Sequence, residues 1–120
     1  MAHHPSENIQ QRSFRFSCAI VRFYVEEAQR TDAGRTLGRQ LLRCGTSIGA
    51  NLEEAEAGQS RADFISKCGI ALKEARETHY WLRLMSATGL VDTKKTDPLI
   101  VESNELIAIL TTIIKKSRGV

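Results

Sequence analysis

The chain predicts an all-α fold, an up-down-up-down antiparallel four-helix bundle. Three observations carry it. Apolar residues recur at three-four spacing in four separate blocks, and no block shows the period of two that a half-buried strand needs. Only two prolines, Pro5 and Pro98, interrupt 120 residues. The links between blocks are short, which makes consecutive helices antiparallel neighbours.

One domain over residues 1–120 suits this length, and 42% hydrophobic residues suffice for a core. The three cysteines, Cys18, Cys44 and Cys68, form no CxxC pair and all fall inside helical blocks. They read as reduced, buried thiols of a cytoplasmic protein. The start lacks an apolar run, so no signal peptide is expected. No segment is apolar enough for a membrane span. Residues 1–6 are expected to fray, and His3-His4 within them is read as bland rather than metal-binding.

The first helix is expected over about residues 6–29, capped by Ser6 with Glu7 in its first turn. It carries two apolar stripes. Ile9, Phe16, Ile20 and Phe23 form one; Phe14, Cys18, Val21 and Val25 form the other. A surface helix needs a single stripe, so the second is expected to face another subunit. Arg30 to Arg35 reads as a linker. The second helix, about residues 36–57, has a core stripe of Leu37, Leu41, Cys44, Ile48, Leu52 and Ala55. Beside it lie Gly45 and Gly49, whose cost of roughly 0.5–1 kcal/mol each calls for a closely approaching helix. Arg35, Arg39 and Arg43 form a ladder on the opposite side, its rungs about 6 Å apart.

Gly58 ends that helix, and Ser60 with Asp63 opens the third in an approximate capping box. The third helix, residues 61–87, places Phe64, Ile65, Cys68, Ala71, Leu72, Ala75 and Leu82 toward the core. Ile70, Trp81 and Leu84 point elsewhere, and a tryptophan off the core stripe is an interface candidate. Lying along its own helix is an equal alternative for Trp81. Gly89 ends this helix, and Leu90 to Thr96 reads as a polar loop. Asp97-Pro98 reads as a cap with proline at the first helical position of a fourth helix, about residues 98–116. Its core face is Leu99, Ser103, Leu106, Ile107, Leu110, Ile113 and Ile114. Lys115, Lys116 and Arg118 suit its C-terminal end.

Leu42-Arg43, Ser47-Ile48, Asn51-Leu52 and Glu54, then Ser60 to Phe64 and Ile70 to Leu82, resemble the bacterial four helix bundle protein family. Its members are also called 23S rRNA intervening-sequence proteins. The resemblance covers about Thr36 to Leu90 closely and the flanking helices by pattern. It implies a small cytosolic bundle assembled as a pentamer. A related group binds nucleic acid and a reverse transcriptase as accessory proteins of diversity-generating retroelements. No catalytic residues are implied. Gly49 stands where many members have proline, which implies a straighter second helix.

The residues themselves argue against catalysis. A di-iron bundle needs Glu three residues before His, and Arg76 occupies that position before His79. No nucleophile has a recognisable base partner, and Gly45-x-x-x-Gly49 is a packing spacing rather than a phosphate loop. No metal or cofactor is expected. The mildly basic balance, net charge +3, permits a polyanion partner. Candidate contacts are Arg35, Arg39, Arg43, Lys94, Lys95, Lys115, Lys116 and Arg118. For Arg39 and Arg43, pairing with a neighbouring subunit's carboxylates, at positions such as Glu54, is the stronger expectation. Candidate contacts between subunits are Phe14, Val21, Val25, Gly45, Gly49, Trp81 and Leu84. The expected function is a non-enzymatic oligomer whose pooled charge holds RNA or DNA by counterion release. The alternatives are a protein-interaction scaffold that does not bind nucleic acid and a bundle that binds a ligand in its ring channel.

Overall fold

The computed structural model describes residues 7–119. Four helices make up the bundle: α1 (Ile9–Glu26), α2 (Asp32–Glu56), α3 (Arg61–Ala87) and α4 (Thr93–Ser117). A 3₁₀ turn, Ala28–Arg30, links α1 to α2. No strand occurs among the described residues. The core holds Phe16 and Ile20 of α1, Leu41, Cys44, Ile48 and Leu52 of α2, Ala71, Ala75, Leu82 and Met85 of α3, and Leu106 and Leu110 of α4, all essentially inaccessible. Each of the larger aliphatic and aromatic side chains gains about 1.5–3 kcal/mol by that burial. The expected core residues Leu37, Phe64, Ile65, Leu72, Ile107 and Ile113 are only half-buried, at the edges of the stripes. No helix among the described residues is long and apolar enough to cross a membrane.

Helix starts follow side-chain capping. Asn8 caps α1 in a full capping box: its Oδ1 accepts from Gln11 N at 2.8 Å, and Gln11 Oε1 accepts from Asn8 N at 3.1 Å. The expected cap, Ser6, lies outside the described residues, as does the His3-His4 pair. Ser60 caps α3 as expected, its Oγ accepting from Asp63 N at 3.1 Å. Gly89, at φ +73°, closes α3 with Leu90 N donating to Met85 O and Gly89 N to Ser86 O. That is a Schellman turn, and its left-handed residue favours glycine.

Two boundaries differ from the sequence reading. The Arg30–Arg35 stretch is mostly helix: Thr31 caps α2 and Asp32 begins it. Close packing on the 3₁₀ turn holds this first turn. A Cβ on Gly34 would stand 2.3 Å from Ala28 O, and one on Gly38 2.9 Å from both the Ala28 Cβ and the Tyr24 ring. At α4, the cap is Asp92, whose side chain accepts from Lys94 N, and Pro98 lies inside the helix. The supposed loop buries Val91 and Thr96. That burial favours the longer helix, while Pro98 removes one i→i−4 hydrogen bond near its start.

Candidate functional site

The inner stripe of α1 enters the core, and its outer stripe meets solvent. Phe14 is 65% exposed, Val21 44% and Val25 60%, with Cys18 half-buried between them. The helix is therefore apolar on two sides, and its own bundle covers one of them. Between α1 and α2 a groove of about 360 Å³ is lined by Phe14, Ser17, Thr46, Gly49, Ala50 and Glu53.

The other expected contact residues divide. Gly45 serves the bundle itself, because a Cβ there would stand 3.0 Å from the Ile20 side chain of α1. Its closely approaching helix belongs to the same chain, which corrects its assignment to a subunit contact. Gly49 is buried beside Ser13 and Ser17 and forms the groove floor. Trp81 is half-buried and lies along its own helix. Its Nε1 donates to Glu77 Oε2 at 3.1 Å, and its ring meets Tyr80 edge-on at 5.2 Å. Leu84 is also half-buried, while Ile70 and Tyr80 are exposed.

The arginine ladder does not act as a unit. Arg43 donates to Glu74 at 3.1 Å and to Glu77, both on α3 of the same chain. This corrects the expectation that a neighbouring subunit supplies its carboxylates. Arg35 pairs with Asp32 and donates to Gln29 O at 3.0 Å. Arg39 is exposed, and among the described residues no carboxylate lies within ion-pair distance of it. Lys94, Lys95, Lys115, Lys116 and Arg118 are exposed and likewise outside those pairs. Lys94 and Lys115 stand roughly 31 Å apart along α4, so these cations occupy opposite ends of the bundle.

The sequence reading missed a buried ion pair across the α1–α4 seam. Arg12 Nε meets Glu102 Oε2 at 2.6 Å and Arg12 Nη2 meets Oε1 at 2.9 Å, with Glu105 Oε2 at 2.8 Å from the same nitrogen. Arg12 is 6% exposed and Glu102 4%. A signal was available. Arg12 sits one turn before Phe16 and Glu102 one turn before Leu106, so both interrupt core stripes with opposite charges. Arg15 makes a second forked pair with Glu7, at 3.0 and 2.8 Å.

On the α2–α3 seam, Glu77 accepts from both Trp81 and Arg43, and these bonds hold its carboxyl below the ordinary range. Thr78 Oγ1 lies 3.2 Å from Cys44 Sγ, and burial pushes that thiol up to about 11. Burial also raises Cys68, and burial with nearby Arg83 lowers His79. Among the described residues no group of three His, Cys, Asp or Glu side chains is placed to hold a metal ion.

A family model described as 23S rRNA-intervening sequence protein matches residues 6–112. A crystal structure from Bacteroides thetaiotaomicron, of a protein of unknown function from the S23 ribosomal protein family, is 42% identical, with a TM-score of 0.80. The match covers 90% of this chain and 99% of that one. No curated protein matches.

Proposed function

Since the chain belongs to the 23S rRNA-intervening sequence protein family, we propose that it is a non-enzymatic oligomeric bundle that binds RNA or DNA through backbone phosphates. The observation that carries this reading is the supply of exposed cations that form no ion pair among the described residues, Arg39, Lys94, Lys95, Lys115, Lys116 and Arg118 among them. Association multiplies them. The apolar back of α1 supports contact between copies, and the family resemblance suggests five. Five copies pool five times the +3 charge of one chain. Phosphate binding strengthens with each counterion released, so a weakly basic subunit becomes a competent binder as a ring. With few exposed aromatics to stack on bases, binding is expected to be tolerant of sequence and sensitive to salt.

Gel shift against structured RNA at two salt concentrations tests the reading. A shift at roughly 50 mM salt that fades at roughly 200 mM supports it, and no shift at the lower salt overturns it. The Phe14–Val21–Val25 strip also favours a second reading, a scaffold for another protein, of which a reverse transcriptase is one candidate by resemblance. A partner that stays bound after nuclease treatment, with no RNA or DNA bound by the purified chain, decides for the scaffold.

A further inference from the structure

Helix α3 divides its charges between its flanks. Glu74 and Glu77 reach Arg43, and Thr78 reaches Cys44, which marks the α2 side. Arg76 is about 160° around the helix from Glu74, and Arg83 follows it seven residues later at nearly the same angle. Both are exposed, and the turn of the helix places them on its outer flank toward α4. The Arg83 guanidinium stands 6.0 Å from the centre of the exposed Tyr80 ring. Helix α4 divides likewise. Glu102 and Glu105 turn to Arg12 on the α1 side. Asn104, Lys115 and Arg118 are exposed on the outer and α3-facing sides. The acidic exception there is Asp97, near the start of α4.

The glutamates of both helices are thus drawn into the two neighbouring seams, and, Asp97 apart, the outer α3–α4 face keeps its positive charge unbalanced. None of Arg76, Arg83, Lys115 and Arg118 takes part in an ion pair among the described residues. Elsewhere the unpaired cations are interspersed with paired or acidic groups: Arg39 lies between the paired Arg35 and Arg43, Lys94 follows the exposed Asp92, and Arg22 and Lys95 share their groove with Glu26 and Glu27.

We propose that the outer α3–α4 face is the nucleic-acid contact, with Arg76, Arg83 and Arg118 gripping the phosphates of an RNA duplex. This rests on the nucleic-acid reading above and adds a location and a ligand form to it. Arg76 and Arg83 are spaced about 10 Å apart along the axis, far enough to meet different phosphates rather than one. Guanidinium suits phosphate because its donors form a fixed fork. One exposed ring, Tyr80, offers too little stacking for a single strand but does not hinder a duplex backbone. The face lies away from the apolar back of α1, so association and binding need not compete.

The test is fluorescence anisotropy with a labelled, random-sequence RNA duplex over a range of salt. The variant Arg76→Gln/Arg83→Gln/Arg118→Gln is compared with Arg22→Gln/Arg30→Gln/Lys73→Gln, which removes the same charge from exposed positions given no part in binding. Both replace exposed side chains, and circular dichroism confirms that both remain helical. We expect the first variant to weaken binding at least tenfold and to flatten the log–log salt slope by roughly 2.7, at about 0.9 per phosphate contact. The control should change far less, and a triple Arg→Lys variant should keep most of the slope. Equal weakening by both glutamine variants would leave only net charge acting and overturn the assigned face, as would a larger effect of the control. Polyglutamate displacing the duplex at equal charge concentration would assign the face to acidic polypeptide instead. If the unaltered protein fails to bind at low salt, the broader nucleic-acid reading falls as well, which separates that failure from the others.

Discussion

Replacing Arg12 by alanine tests whether the α1–α4 seam depends on its buried ion pair. Glu102 is 4% exposed and takes two hydrogen bonds from Arg12. Arg15, the next cation along α1, is committed to Glu7. Alanine therefore leaves a buried carboxylate without its partner, a loss of about 3–5 kcal/mol. The Glu105 side chain is 56% exposed, so its share is small. For a domain of this size about 4 °C accompanies each kcal/mol, which makes the expected fall in Tm roughly 12–20 °C. Arg12→Met/Glu102→Leu replaces both charges with apolar groups and should recover most of the loss. Urea and thermal melts should be run at matched protein concentration, since association itself shifts apparent stability. A loss below about 1 kcal/mol for Arg12→Ala, or a double variant no better than the single, would refute the reasoning.

The remaining expectations concern other parts of the bundle. Phe14→Ser/Val21→Ser/Val25→Ser alters exposed positions and should leave the helices intact while removing roughly 2–5 kcal/mol from each contact between copies; sedimentation unchanged from the parent protein would exclude the strip as that contact. Cys44 and Cys68 are buried and their thiols raised, Cys44 to about 11, so native protein at pH 8 should resist thiol reagents at both until it unfolds; rapid labelling of two or more cysteines counts against this packing. Glu77 is held below its ordinary 4.5, so its stabilising share is complete above that value and is lost as pH falls through the folded value. Glu77→Gln should therefore lower Tm at pH 7 and converge on the parent protein in acid, and a constant gap across pH would contradict the sign. Gly45→Ala sets an overpacking cost of about 1–3 kcal/mol, from a methyl 3.0 Å from Ile20, against a helix-propensity gain of about 0.5–1 kcal/mol, so a urea melt should show a net loss of up to roughly 2.5 kcal/mol; a net gain would show that Ile20 moves aside.

Much of the fold is legible in the sequence because a helix records inside and outside every three or four residues. The stripe Leu41, Cys44, Ile48, Leu52 and Ala55 is buried throughout, as its spacing predicts. The start of α4 is less legible. Asp97-Pro98 is a strong local signal for a helix start, but Asp92 is an equally good cap, and burial of Thr96 and Val91 decides between them. Gly34 falls in the stretch read as a linker, yet it and Gly38 let α2 pack onto Ala28 and Tyr24, a contact no local pattern displays.

The charges are harder to read, because a cation's partner is chosen by the neighbouring helix. The Arg35–Arg39–Arg43 ladder is correct helical geometry, yet Arg43 is taken by Glu74 and Glu77, more than thirty positions away. Apolar surfaces depend in the same way on what the other helices leave uncovered. α1 has 18 residues, while α2, α3 and α4 have 25, 27 and 25. It runs antiparallel to α4, and its Arg12, within one turn of its start, meets Glu102 and Glu105, so the last stretch of α4 extends past it. There, among the described residues, a shallow groove is lined by Ala108, Ile109, Thr112, Ile113 and Lys116 of α4. Among those residues one short helix thus leaves an apolar stretch of α4 uncovered, while its own back supplies the Phe14 strip. The cost of leaving both in water grows with the apolar area exposed, and covering the strip alone by a second copy would leave the α4 groove to whatever meets the basic end formed by Lys115, Lys116 and Arg118.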